Sequence, residues 1–468
     1  MLIQYSDYVK NILNQVIQTQ IPNLPSIAEV ILDRVAKGGK FRIFASGHSH
    51  IITEEMMKQT GGFQFPQPYN PEDLFGHPLK SGYIERNAEF GEVFYRAMEL
   101  EKGDVLWLIS NSGTNGVVVE LAKLSQENDI YLVAQTNMNQ TLKVTARHPS
   151  KKKMYEYANA VIDNCGNDGD AAFETVGQKR QGPTSNIIGT FIFQALNVCF
   201  AAILESSGCR EEDLHNGNYL EKKQINIQQI QYHLDAYIKR YFDVFDEVVK
   251  EELTNIEQAA SCSVQSILEN KRNFMFGMAH DHSLVEEIHA RAGTIMCNKS
   301  MVMQNTEIQF YESVEKAHMY ASIAKYGEAV LYSVEPQEND TFFLVSQSAS
   351  ELALVRMIQV LKEKGCKVIL HTNKKAAQAL NSTVLNDVDV LMDNHGPSTQ
   401  LMLNVGDYAV GYPATSIGCF INQCYIISMT KQLYEHGIDM PTRISINTDK
   451  GFAYTENLNR KYFNDTLI

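Results

Sequence analysis

A short polar segment at residues 110–115 carries the clearest chemical signal in the sequence. It reads Ser-Asn-Ser-Gly-Thr-Asn between an apolar run and a helical pattern, so it is predicted to join a strand to a helix. Its glycine lets an anion approach the backbone closely, and the N–H groups of a helix start attract negative charge. One such polar residue would be an ordinary helix cap, but several together predict an anion site. The predicted anion-binding residues are Ser110, Asn111, Ser112, Thr114 and Asn115.

A related segment at residues 346–351 reads Ser-Gln-Ser-Ala-Ser-Glu and has the same surroundings, so it is predicted to bind an anion in the same way. Its Glu351 either repels the anion or only stabilises the helix start, and the sequence leaves both open. The predicted anion-binding residues here are Ser346, Gln347, Ser348 and Ser350. Hydroxyl groups at other predicted turns complete the expected anion- and sugar-binding set with Ser46, Thr184, Ser185, Thr415 and Ser416.

Two His-x-His pairs stand at equivalent turns, His48 with His50 and His280 with His282. An imidazole changes protonation near neutral pH, so these residues are candidates for a proton shuttle in sugar ring opening or for contacts to sugar or phosphate oxygens. The less favoured alternative is that they are structural histidines. Two imidazoles so close can also ligate a metal. Because no carboxylate or cysteine completes an obvious ligand set, we predict no metal and no other cofactor.

An aldose–ketose isomerisation would need a base that moves a proton between C1 and C2, and a carboxylate or a histidine can do this. The carboxylate candidates are Glu54, Glu55, Glu85, Glu174, Glu286, Glu287, Glu312 and Glu315. The sequence does not select one of them, since glutamates near a helix start also occur for electrostatic reasons alone. The residues predicted to be catalytic are His48, His50, Glu55, Glu85, His280, His282 and Glu287.

These polar segments recur because the chain contains an internal duplication. Phe44–His50 aligns without a gap with Phe276–His282, 232 residues later, and the two Ser segments align as well. Three further matches follow in the same order, which indicates a duplicated unit of more than 200 residues. We place the two domains at residues 1–220 and 221–468, because turn-forming and charged residues interrupt the pattern near the boundary.

Each unit is predicted to be an α/β domain with a mostly parallel sheet flanked by helices. The predicted strands are 41–45, 105–110, 130–135 and 160–163 in the first unit, and 273–277, 341–346, 367–371 and 388–393 in the second. Helical patterns alternate with the strands, including 50–60 and 283–292 after the histidine pairs, and this alternation indicates right-handed βαβ units. Ligands of such sheets bind at the carboxyl ends of the strands, where the polar turns fall.

The composition excludes several classes of protein. The 468-residue chain has a formal net charge of −14 and a pI of about 5.4, so it lacks the basic surface of a nucleic-acid binder. Its eight cysteines form no C-x-x-C pair and are predicted to be reduced. No signal peptide is recognisable, and the apolar segment 187–206 contains enough polar residues to be a buried core helix. We expect a cytoplasmic protein that binds neither nucleic acid nor membrane.

Together these motifs resemble the sugar isomerase (SIS) superfamily, in two copies that cover essentially the whole chain. The first copy is similar to an uncharacterised single-domain SIS family, on the motifs Ser46–His50, Ile109–Asn115, Asp163–Ala171 and Gly182–Ser185. That family tends to end in a S-x-N-x-D-G-G segment, and its likeness, Ser445–Gly451, appears only after the second copy. The Ser-Gln-Ser of the second copy is similar to the anion loop of glucosamine-6-phosphate synthase isomerase domains.

The resemblance implies a flavodoxin-like five-stranded sheet in each copy, phosphosugar binding by the Ser segments, and sites at interfaces between domains. Paired SIS domains usually form the functional unit, so the chain resembles a covalent pseudo-dimer, and two chains are expected to form a homodimer. Phosphoheptose isomerases carry a catalytic glutamate late in the helix after the first turn. The corresponding stretches here, 58–61 and 290–293, contain no acid, so that mechanism cannot be transferred.

The sequence therefore predicts an aldose–ketose isomerase that binds a small anionic sugar, phosphorylated or sulfonated. A sulfonate would suit an acidic protein without a basic clamp, since it carries one charge where a phosphate can carry two. The first alternative is an amino-sugar-phosphate deaminase, deglycase or lyase of the same superfamily. The second is a non-catalytic sugar-phosphate sensor, which is less favoured because SIS sensors usually carry a helix-turn-helix domain. The uneven Ser segments are compatible with one composite site or with two sites.

Overall fold

The structure is a computed structural model that describes residues 1–56, 61–74, 78–295, 301–303, 314–448 and 450–463. The candidate Glu312 and residues 58–60 of the stretch compared with phosphoheptose isomerases lie outside these ranges. The cysteines within them are free, and most are buried.

The first half of the chain contains a five-stranded sheet in which every pairing is parallel. From edge to edge its strands are Pro66–Tyr69, Phe41–Ala45, Val105–Ile109, Tyr131–Thr136 and Ala160–Asp163. The central strand reads Val-Leu-Trp-Leu-Ile and is buried throughout, as is typical of strands covered by helices on both faces. The edge strand at 66–69 was not predicted from the sequence.

The second half repeats this sheet with the same strand order and the same parallel pairing. Its strands are Met301–Met303, Asn273–Gly277, Thr341–Val345, Lys367–Thr372 and Val390–Asp393. Two small antiparallel hairpins pair Phe173–Glu174 with Arg180–Gln181 and Leu403–Val405 with Tyr408–Val410. The prediction of two α/β units with mostly parallel sheets flanked by helices is confirmed.

The helices of the first half are Leu2–Thr19, Leu24–Ala36, His50–Glu54, Pro78–Arg86, Glu89–Ala97, Gly116–Glu127, Met138–Thr141 and Ser185–Ser206. Those that follow are Asn218–Lys222, Ile227–Glu251, Leu253–Leu268, His282–Glu286, Val314–Ala321, Ala324–Val334, Leu352–Glu363, Lys374–Ala379, Ala414–Glu435 and Gly451–Phe463. The helix after each histidine pair is therefore shorter than predicted. In the second half Ala290 has a φ of 54°, a left-handed conformation that an α-helix cannot include.

Two long helices, Ser185–Ser206 and Ala414–Glu435, pack against each other and join the two halves. One hydrophobic core runs through both halves along these helices. Ser185–Ser206 is long and apolar enough to cross a membrane by length and composition, but its apolar window is fully buried inside the fold, as predicted for a core helix. Ile227–Glu251, which leads the predicted second unit, packs on Ser185–Ser206 of the first. The boundary near residue 220 stays a prediction.

Candidate functional site

A cavity of about 200 Å³ lies at the carboxyl ends of strands of the first sheet. Its walls come from three distant parts of the chain. The first half contributes residues of the turns at 46–50 and 110–115, the second half contributes residues within 286–292, and the C-terminal tail contributes 443–447. The cavity is therefore built by both halves, although it lies over the first sheet.

The segment 110–115, called the first Ser loop from here on, lies on the wall of this cavity. Ser110, Asn111, Ser112 and Asn115 line it, and Thr114 is buried behind and donates to Ser112 Oγ over 3.3 Å. Gly113 has a φ of 59°, so the glycine makes the turn possible. The helix Gly116–Glu127 begins directly after the loop and directs its N-terminus toward it. The arrangement is suited to hold an anion.

The first Ser loop is held in place by a neighbouring turn. The Asn111 amide donates to Gln140 Oε1 over 2.9 Å, and Asn164 donates to Asn111 Oδ1 over 2.8 Å. Thr141 donates to the carbonyl of Ser112 over 3.0 Å. Gln140 also lines the cavity, and its buried Nε2 has no hydrogen-bond partner among the described residues. Sequence reasoning missed Gln140, since it is 25 residues or more from the loop.

Glu85 reaches the cavity from the helix Pro78–Arg86 and is almost fully buried. Burial raises the pKa of its carboxyl to about 7, although Arg86 and hydrogen bonds from Ser46 and Asn115 oppose the rise. A carboxyl group that titrates near neutral pH can accept and return a proton at the working pH. Glu85 is the predicted catalytic carboxylate that the structure brings to the first Ser loop, and Ser46 lies beside it in the cavity.

His48 lines the same cavity with a defined tautomer. Its Nε2–H donates to the carbonyl of His289 over 2.8 Å, which leaves Nδ1 as the acceptor. Burial, and then the nearby Arg291, lower the pKa of His48 well below its usual value. His48 is therefore a neutral imidazole in this site.

Two arginines that sequence reasoning missed also line the cavity, Arg291 from the second half and Arg443 from the tail. The guanidinium of Arg291 pairs with Glu287, lies 3.0 Å from Asp170 and donates to Ser185 over 2.6 Å. Burial lowers the pKa of Arg443 to about 9. A sulfonate was favoured by the apparent lack of a basic clamp, but these two arginines, which lie far from the Ser loop in sequence, bring guanidinium groups to the cavity.

The C-terminal tail closes one side of the cavity. Arg147 donates to the carbonyl of Asn447 over 2.9 Å, and Arg86 donates to the carbonyl of Ile446. The guanidinium of Arg86 also lies 4.0 Å from the ring centre of Phe452. The tail includes Ser445–Gly451, so the segment that follows the second copy in sequence returns to the first copy in space.

The other predicted histidines and glutamates meet between the two halves. His50 Nε2 contacts Glu286 Oε2 and lies 3.6 Å from Glu54 Oε1, and His282 Nε2 lies 3.3 Å from the same Glu54 oxygen. All four side chains are buried, and His50 and Glu286 also border the cavity. The structure thus brings together two histidines and two carboxylates, which the sequence had not placed in one set.

The charges of this cluster are strongly coupled. Burial favours the neutral form of His50, but Glu286 and Glu54 outweigh it and raise its pKa to about 9. The same competition between burial and Glu54 raises the pKa of His282 to about 10. Burial alone would raise the pKa of Glu54, but the two imidazoles lower it to about 2. The cluster therefore carries paired opposite charges in the absence of any other ion.

Glu55, Glu287 and His280 lie deeper between the halves and, in the part of the chain that the structure describes, do not line the cavity. Glu55 accepts from Gln194 over 2.6 Å and lies 3.6 Å from His280 Nε2. Glu287 accepts from Gln423 over 2.8 Å and pairs with Arg291. These three residues and His282 were predicted to act on a ligand. The structure instead places them as buried groups at the interface between the two halves.

Six other candidates also differ from the prediction in their surroundings. The N–H groups of Thr184 and Ser185 both donate to Asp170, which occupies the place expected for an anion. Ser416 donates to the carbonyl of Ile187, and Thr415 lies 3.3 Å from His280 Nε2. Glu174 and Glu315 are exposed and lie outside the residues described as lining the cavity.

The second Ser loop, residues 346–351, is filled by the protein itself. Ser346 and Ser348 donate to the two carboxylate oxygens of Glu351 over 2.6 and 2.7 Å, and Ser350 donates to Ser348. The N–H of Gln347 donates to Asp281 over 3.1 Å. Burial, and then Glu351, raise the pKa of Asp281 to about 6. The predicted anion site at these serines is therefore already occupied by a carboxylate of the chain.

Comparison with known proteins agrees with the duplicated fold. The family model described as "SIS domain" matches residues 4–137 and 236–373, which together exceed half of the chain. A UPF0309 protein of Halalkalibacterium halodurans is 38% identical over 214 residues, which cover 44% of this chain and 88% of that protein. A UPF0309 protein of Thermoanaerobacter pseudethanolicus is 29% identical over 238 residues, covering 49% of this chain and 96% of that protein. Each relative therefore matches about half of this chain.

Two solved structures are similar at lower identity. The C-terminal domain of glucosamine-fructose-6-phosphate aminotransferase from Francisella tularensis is 11% identical with a TM-score of 0.46, and the match covers 92% of this chain and 97% of that one. A phosphoheptose isomerase from Neisseria gonorrhoeae is 14% identical with a TM-score of 0.32, over 42% of this chain and 98% of that one. These identities are too low to transfer an activity to this chain.

Proposed function

Because the chain belongs to the SIS domain family, we propose that it is an aldose–ketose isomerase acting on an anionic sugar held by the first Ser loop. One observation carries the proposal: a buried carboxyl group with a pKa of about 7, Glu85, shares a cavity with that loop. Arg443 favours a phosphate over a sulfonate, since it supplies positive charge for a dianion, whereas Glu287 and Asp170 offset the charge of Arg291.

The reaction follows from the groups around the cavity. With the anion at the first Ser loop, the Glu85 carboxylate takes the proton from C2 of the open-chain aldose and forms an enediolate. The resulting carboxylic acid returns the proton to C1 while a second proton moves from O2 to O1, so atoms and charge balance. His48 Nδ1 accepts a hydrogen bond from a sugar hydroxyl and orients it while the proton passes between the adjacent oxygens, and Arg443 stabilises the enediolate charge.

The alternative of a non-catalytic sensor is less compatible with the cavity. A site that only binds a sugar phosphate gains nothing from a buried carboxyl group beside the anion, since its ionised form repels the ligand. A deaminase, deglycase or lyase of the same superfamily would also use an acid–base carboxylate. The nature of the product therefore separates these enzymes from an isomerase.

The proposal is tested by deuterium exchange at C2 across a panel of aldose and ketose phosphates and sulfosugars. We expect exchange and isomerisation for at least one sugar phosphate, and a loss of about 10²–10⁴-fold in the Glu85→Gln variant. Glu174→Gln is the matched control, because Glu174 is an exposed glutamate in a hairpin, and this variant should keep full activity. A sugar that binds tightly in the wild type without any exchange or product would contradict the proposal and favour a sensor.

The remaining expectations about the whole protein stay predictions. They are a cytoplasmic location and a homodimer of tandem chains. Sedimentation of the purified protein would test the homodimer.

A further inference from the structure

The cluster of His50, Glu54, His282 and Glu286 has the symmetry of the duplication. Each copy contributes a short helix that begins at a histidine and ends four residues later at a glutamate, and the two helices are 232 residues apart. Residues four apart lie on the same face of a helix, so each copy presents a two-ligand unit. The fold places the two units against each other and thereby brings four ligand groups to one point between the halves.

Three of the four residues bring their ligand atoms together, and His282 lies beside them. Ligand atoms of His50, Glu54 and Glu286 all lie within 4.8 Å of one another. His282 Nε2 and His50 Nε2 lie 3.3 and 3.6 Å from Glu54 Oε1. In a tetrahedral zinc site with bonds of about 2.0–2.1 Å, neighbouring ligand atoms are about 3.3–3.4 Å apart. His50 Nε2 and Glu286 Oε2 are in direct contact as the structure stands. An ion can therefore enter only when these two side chains move apart to the spacing of a metal site and His282 turns toward the other three.

The histidines are oriented as metal ligands usually are. His50 donates through Nδ1–H to the carbonyl of Gly47 over 2.7 Å, and His282 donates in the same way to the carbonyl of Ala279. Both Nε2 atoms are thereby directed at the carboxylates. A backbone carbonyl that fixes the tautomer of a histidine is the common outer support of a metal-binding imidazole.

Because the four side chains are buried, the negative charge of the two carboxylates must be compensated within the cluster. The exposed fractions of the four residues are 4% for His50, 0% for Glu54, 2% for His282 and 6% for Glu286. Two carboxylates at such depth require two compensating positive charges. Either two protons on the imidazoles or one divalent cation with neutral imidazoles supplies them.

We propose that His50, Glu54, His282 and Glu286 together bind one divalent transition-metal ion, with zinc as the preferred ion. Imidazole and carboxylate ligands suit zinc, and also iron and manganese. Because His50 and Glu286 border the cavity, the ion would lie at its edge. The proposal does not depend on the isomerase activity, and a chain without that activity could still bind the ion.

Metal content tests the proposal. Protein purified without a polyhistidine tag should contain about one zinc, iron or manganese ion per chain by inductively coupled plasma mass spectrometry. After treatment with a chelator, titration with Co²⁺ should give the visible absorption of a four-coordinate site, and Zn²⁺ should abolish it. X-ray absorption of the zinc form should show nitrogen and oxygen neighbours at about 2.0–2.1 Å and no sulfur.

Two variants and a matched control locate the ion. Glu54→Gln and His282→Gln should each lower the affinity for Zn²⁺ at least tenfold. His148→Gln should not, although it removes a similar buried pair, His148 Nε2 with Glu120 Oε2 at 2.7 Å. A wild type that binds neither Zn²⁺ nor Co²⁺, variants that retain the wild-type affinity, or sulfur neighbours in the absorption spectrum would each overturn the proposal. If the variants do not fold, the wild-type spectrum still decides.

Discussion

The first and second Ser loops have the same place in the same fold, but they differ in what they hold. The first opens into the cavity, whereas the second encloses Glu351. The residue equivalent to Glu351 is Asn115, and the residue equivalent to Asp281, which binds the backbone of the second loop, is Ser49. Two exchanges of a neutral for an acidic residue thus distinguish the second loop, which is filled by its own carboxylate, from the open first loop.

The second half also contributes to the cavity over the first sheet. It supplies Arg291 to the cavity over the first sheet, and the tail that follows it supplies Arg443. The first copy thus contributes the first Ser loop and Glu85 to the cavity, while the second copy contributes Arg291 and the tail contributes Arg443 and one wall. This division supports one composite site per chain.

The largest effect is expected when the glutamate of the second Ser loop is introduced at the equivalent position of the first. Asn115→Glu should fill the first Ser loop as Glu351 fills the second, and the affinity for sugar phosphate should fall about 10²–10⁴-fold. The loss corresponds to about two charge-assisted hydrogen bonds of 1.5–3 kcal/mol each. Asn128→Glu, an exposed position at the end of the same helix, is the control of equal charge. Binding that survives Asn115→Glu, measured by calorimetry, would argue against the first loop as the anion site.

Paired serine variants give the next largest effect. Ser112→Ala removes one donor to the anion and should weaken binding about 10–100-fold, whereas Ser348→Ala, whose hydroxyl donates to Glu351, should leave kcat/KM within twofold. Steady-state kinetics of the two variants side by side measures the difference. Equal losses in both would contradict the comparison and favour two working sites.

The pH dependence separates Glu85 from the acids of the second loop. Since the base form of Glu85 is the carboxylate and its pKa is about 7, kcat/KM should fall about tenfold per pH unit below 7. Asp281→Asn should not change this profile. The raised pKa also means that the native state binds more protons than the unfolded chain between about pH 4.5 and 7, so this group lowers stability as the pH rises through that window. A flat rate profile would rule out Glu85 as the base.

The smallest effect should come from opening the second loop. Glu351→Gln removes the carboxylate that accepts from Ser346 and Ser348, so a second, weak phosphate site should appear while kcat/KM changes less than twofold. It should also lower the pKa of Asp281, since Glu351 raises it. Phosphate titration followed by NMR measures both. A large loss of activity would mean that the second loop is part of the reacting site.

The features that depend on local sequence patterns could be predicted from the sequence. The duplication, eight of the ten sheet strands and the first Ser loop follow from short runs of residues. Arg291, Arg443 and the return of the tail could not be predicted, because they depend on how distant segments pack. The four-ligand cluster was missed for the same reason, since Glu54 and Glu286 reach the opposite histidines only across the interface. Glu351 was recognised as a residue that changes the second loop, but the sequence left its effect open.

We propose that each chain has one anion site, at the first Ser loop. A crystal of the wild-type protein soaked in tungstate, an analogue of phosphate with strong anomalous scattering, tests it most directly. We expect one anomalous peak beside Ser110 and Ser112 and none within residues 346–351. A peak of equal height at the second Ser loop, or a peak there alone, would contradict it.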